Sequence, residues 1–109
     1  MKDDLILQCL LVLAAVRPGN KISLRHGIFE IDTNPSPFWR WLSCDNRVTT
    51  FVMINEVVNA AVMSSNTAVH EALFRIPDGL ENLKMTYAKD RTMGAALDNL
   101  CERIKKFAH

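Results

Sequence analysis

The segment from Arg47 to Ser64 constrains this chain most. Val48, Phe51, Val52, Met53, Ile54, Val57, Val58, Ala60, Ala61, Val62 and Met63 leave only Asn55, Glu56 and Asn59 as polar residues in its middle. As a helix it is apolar on almost every side, and such a helix belongs at the centre of a fold, surrounded by other helices or by a partner. Its many β-branched residues make it a poor helix in isolation, so tertiary packing has to hold it. Asp45 or Asn46 supplies an N-terminal cap.

A second apolar run, Leu5–Val16, has eleven apolar residues in twelve, with Gln8 the exception. A membrane-spanning helix needs about 20 residues, so this run fits a buried helix better. Asp3 and Asp4 outweigh Lys2 before it, which is unlike the basic start of a secretory signal, although Ala14 and Ala15 resemble a cleavage site weakly. Acids at its start and Arg17 at its end complement the helix dipole. Pro18-Gly19-Asn20 then stops it.

Residues 21–32 read as a β-hairpin: Lys-Ile-Ser-Leu-Arg, a His26-Gly27 loop, then Ile-Phe-Glu-Ile-Asp. A two-residue loop ending in Gly is the pattern of a type I′ turn, whose backbone twist matches that of the strands. This loop pairs Leu24 with Phe29, Ser23 with Glu30, Ile22 with Ile31 and Lys21 with Asp32. Ile22, Leu24, Phe29 and Ile31 then share one face, directed at a core, and Lys21 and Asp32 form a cross-strand ion pair on the other. A lone hairpin is marginal in water, so it has to lie on the helices or pair with another strand.

Residues 33–45 form a connector in which Ser36-Pro37 starts a short helix carrying Phe38, Trp39, Arg40, Trp41 and Leu42. Beyond the apolar segment, Val69, Ala72, Leu73 and Ile76 recur at helical spacing, with Pro77 expected to end that helix. Asp78 and Glu81 form a variant capping box opening a helix with Leu80, Leu83 and Tyr87 on one face. Asp90 caps the last helix, where Met93, Leu97, Leu100, Ile104 and Phe107 line one side and Glu102 and Lys106 pair across a turn. Gly94 costs that helix about 1 kcal/mol relative to Ala unless close packing uses the missing side chain. The expected fold is mainly α: a single domain, residues 1–109, of four or five helices in a bundle-like arrangement, with one β-hairpin at about 21–32 inserted after the first helix.

Sparse chemistry accompanies this framework. Cys9, Cys44 and Cys101 are an odd, widely spaced set, which excludes a complete internal disulfide framework, offers no zinc spacing and fits a reducing, cytoplasmic or other intracellular compartment. Cys9 and Cys101 fall on apolar stripes and read as small core residues. His26, His70 and His109 stand apart, and no HExxH, GxSxG, Walker or GxGxxG pattern occurs. No catalytic residue, metal ligand or cofactor is therefore assigned, and the expectation is a protein that is not an enzyme.

The densest feature is Phe38-Trp39-Arg40-Trp41, with three of the chain's eight aromatic residues. At helical spacing Phe38 and Trp41 share a face while Trp39 points elsewhere, so the three rings do not easily all turn inward. Trp39, Arg40 and Trp41 are thus the candidate partner-binding residues, of types enriched at interface hot spots. A protein partner or a second copy, as a homodimer, would cover the surplus apolar helix surface. The alternative is a nucleic-acid-binding accessory protein with Arg25, His26, Arg40 and Arg47 as its basic patch. Against it, 13 Lys and Arg balance 12 Asp and Glu, so a net charge of +1 gives almost no long-range pull on a polyanion.

Overall fold

The computed structural model describes residues 2–25, 28–32 and 46–108. Among these the chain is mainly helical, in the order α1 (Asp3–Ala14), β1 (Lys21–Arg25), β2 (Ile28–Asp32), α2 (Asn46–Met63), α3 (Thr67–Leu73), α4 (Ile76–Thr86) and α5 (Arg91–Ala108). No described helix is long and apolar enough to cross a membrane.

α1 lies at the centre of the packing. It packs against β2, α2, α3 and α4, and Ile6, Cys9, Leu10 and Leu13 are all buried. Asp4, Gln8 and Leu11 form an exposed strip along it, and Asp3 at its start is exposed too. α1 shares the centre of the fold with α2, each packing against four other elements. α2 packs against α1, α3, α5 and β1 through Ile54, Val57, Val58 and Ala61, and leaves one stripe outward.

The contact of α1 with α4 is unusually close. A Cβ added to Gly79 would lie 1.8 Å from the carbonyl oxygen of Leu13, so only glycine lets the two backbones approach this far. Side chains of α4 then tie down the chain that leaves α1. Asn82 Nδ2 donates to the Val16 carbonyl at 2.9 Å, and the Thr86 hydroxyl donates to the Asn20 carbonyl at 2.8 Å while accepting from the Gly19 N–H at 3.1 Å. Between these anchors Pro18 and Gly19, the latter at φ 89°, sit inside a turn closed by the Asn20 N–H to Arg17 carbonyl bond. This is the pattern of a type II turn, which needs a positive φ at its third residue. The helix ends at Ala14, short of Val16, and Arg17 lies in the turn rather than in the last helical turn.

The hairpin register is the one read from the loop: Lys21 opposite Asp32, Ile22 opposite Ile31, Ser23 opposite Glu30 and Leu24 opposite Phe29, with Arg25 opposite Ile28. Ile22 and Phe29 are buried and Ile31 packs partly on the core, whereas Glu30 on the other face is exposed. Contacts of β2 with α1 and of β1 with α2 provide the support that a two-stranded sheet needs. The Lys21–Asp32 ion pair, His26, Gly27 and the connector at 33–45, including the short helix expected there, lie outside the described atoms.

The helix boundary near Pro77 differs from expectation. α3 stops at Leu73, and Pro77 lies in the first turn of α4, where its missing N–H has no helical acceptor to lose. Asp78 consequently sits inside the first turn, complementing the dipole, and the Asp78–Glu81 capping box does not form. Asn66 caps α3 by accepting from the Ala68 N–H at 2.9 Å. Asp3, at the start of α1, accepts from Ser64 Oγ at 3.0 Å and so joins that terminus to the α2–α3 junction. Asp90 caps α5 through the Met93 N–H at 3.0 Å, and Met93, Leu97, Leu100 and Ile104 are buried against the rest.

The two helical glycines have opposite expected effects. Gly79→Ala forces a methyl group into a backbone carbonyl and should lower stability by about 3 kcal/mol. A Cβ at Gly94 meets only the Lys84 side chain, at 3.7 Å, so Gly94→Ala should raise stability by about 1 kcal/mol. Urea unfolding of both variants checks the pair, and a Gly79→Ala protein as stable as wild type would refute the close contact.

Candidate interaction surface

The outward face of α2 is built from Thr49, Val52, Glu56, Asn59 and Met63, all exposed and separated by three or four residues. This spacing is what one narrow stripe of a helix requires. Val52 is 45% exposed and Met63 87%, although both lie on a helix whose opposite side is fully buried. Half-buried Met53 and Ala60 border the stripe and extend its apolar character. Leu11, Phe74 and Met85 are also exposed, on other elements. Single exposed apolar residues are normal on any protein, whereas two on one helical face with apolar neighbours form a surface.

The polar residues of this face are organised by α5. Arg103 spreads its guanidinium over α2, with Nη1 donating to Asn55 Oδ1 at 3.1 Å and Nη2 donating to Asn59 Oδ1. A planar fork suits two acceptors one helical turn apart. Its partners are neutral amides, so these bonds leave the Arg103 charge unneutralised. Glu56, between Val52 and Asn59 on the same stripe, has no ion-pair partner among the described residues. The surface thus carries Glu56 and, at its edge, Arg103, neither in an ion pair among the described residues.

Other features carry less chemistry. Lys84 donates to both carboxylate oxygens of Asp98, at 3.0 and 2.9 Å, across an open groove of about 580 Å³ between α4 and α5. The hydrogen bond to Asp98 holds the Lys84 ammonium above its ordinary pKa. This pair is solvent-accessible, which limits its contribution to stability. His70 stacks edge to face on Phe107 at 5.2 Å, and its buried Nε2 has no hydrogen-bond partner among the described residues. Among the described residues no three His, Cys, Asp or Glu side chains gather as a metal site would require.

The residues singled out from the sequence fall mostly elsewhere. Trp39, Arg40, Trp41, His26 and Cys44 lie outside the described residues. Arg25 ends β1 and Arg47 lies in the first turn of α2, where only their backbone is described. The α2 stripe and Arg103 were not singled out as a site. The available signal was the placement of Glu56 and Asn59, the two polar residues three apart that mark the outward side of an otherwise apolar helix. Comparison with protein-family models, curated proteins and solved structures finds no match.

Cys9 and Cys101 are both buried, and burial pushes both thiols above their usual pKa. Thiolate, the reactive form, is correspondingly scarce. In a Cys44→Ser protein at pH 8, a thiol-specific chromogenic reagent should therefore react with neither until urea unfolds the chain. Reaction in the folded protein at the rate of a free thiol would contradict this packing.

Proposed function

We propose that this chain is a small non-enzymatic interaction or assembly protein that acts by associating with a second copy of itself and, in that form, with a protein partner. The observation that supports this best is the outward face of α2, where Val52 and Met63 are exposed on a largely apolar helix. Water contact at such a face is costly, by about 25 cal/mol per Å² of apolar surface, and covering it on association recovers that free energy. The Trp39-Arg40-Trp41 segment adds residue types suited to anchoring a partner. The near balance of charge favours protein association over a polyanion, because no strong field attracts phosphates.

Light scattering coupled to gel filtration tests the reading. Across micromolar concentrations the mass should rise towards twice the 12.3 kDa of one chain. A mass that stays at one chain throughout would remove self-association from the proposal.

A further inference from the structure

We draw no further inference here: the strongest candidate, the outward face of α2 around Val52, Glu56, Asn59 and Met63, belongs to the surface already described, and nothing in the structure shows what covers it.

Discussion

The backbone of α4 meets the backbone of α1 at Gly79, and the placement of the remaining elements follows from that contact. With no side chain at this position, α4 lies against the last turn of α1 at the Leu13 carbonyl. From there Asn82 and Thr86 reach the carbonyls of Val16 and Asn20, groups that the end of a helix and a tight turn leave in need of donors. The hairpin starts at Lys21, directly after this anchored turn, so its position over the core is set by the same crossing. Any side chain at residue 79 would separate the helices and weaken each of these bonds together.

α1 and α2 show how an apolar helix acquires an outward side. Both are largely apolar, and helical periodicity gives neither a preferred direction. α1 packs against β2, α2, α3 and α4, and α2 against α1, α3, α5 and β1, and each keeps one stripe outward. The polar residues of α2 lie where they cost least. Asn55 and Asn59 bind Arg103, and Glu56 is exposed. A buried or half-buried arginine charge would require an acid beside it. Arg103 is instead exposed at the edge of the surface, where neutral amides are enough to position it and its charge stays available to a partner.

Local rules account for much of the architecture. The hairpin register was readable because a two-residue loop fixes the pairing and strand alternation fixes the faces, both within twelve residues of chain. The amphipathic pattern of α5 and its Asp90 cap were readable for the same reason. Pro77 shows where local reading becomes ambiguous. A proline after an apolar stripe can end one helix or open the next, and the packing of Ile76 and Leu80 in the core selected the second. Gly94 carried a stated cost with no visible purpose, and the structure supplies no close contact that needs it.

The sequence by itself determined the mainly helical class, the place of the hairpin after the first helix and the hairpin pairing. Those properties depend on residues near one another in the chain, and periodicity reports them directly. Tertiary structure alone decided that Gly79 is a point of backbone contact, which side of α1 and of α2 faces outward, and that Arg103 lies over Asn55 and Asn59. Each depends on groups brought together from distant segments. An apolar helix has no outward side until its neighbours choose one.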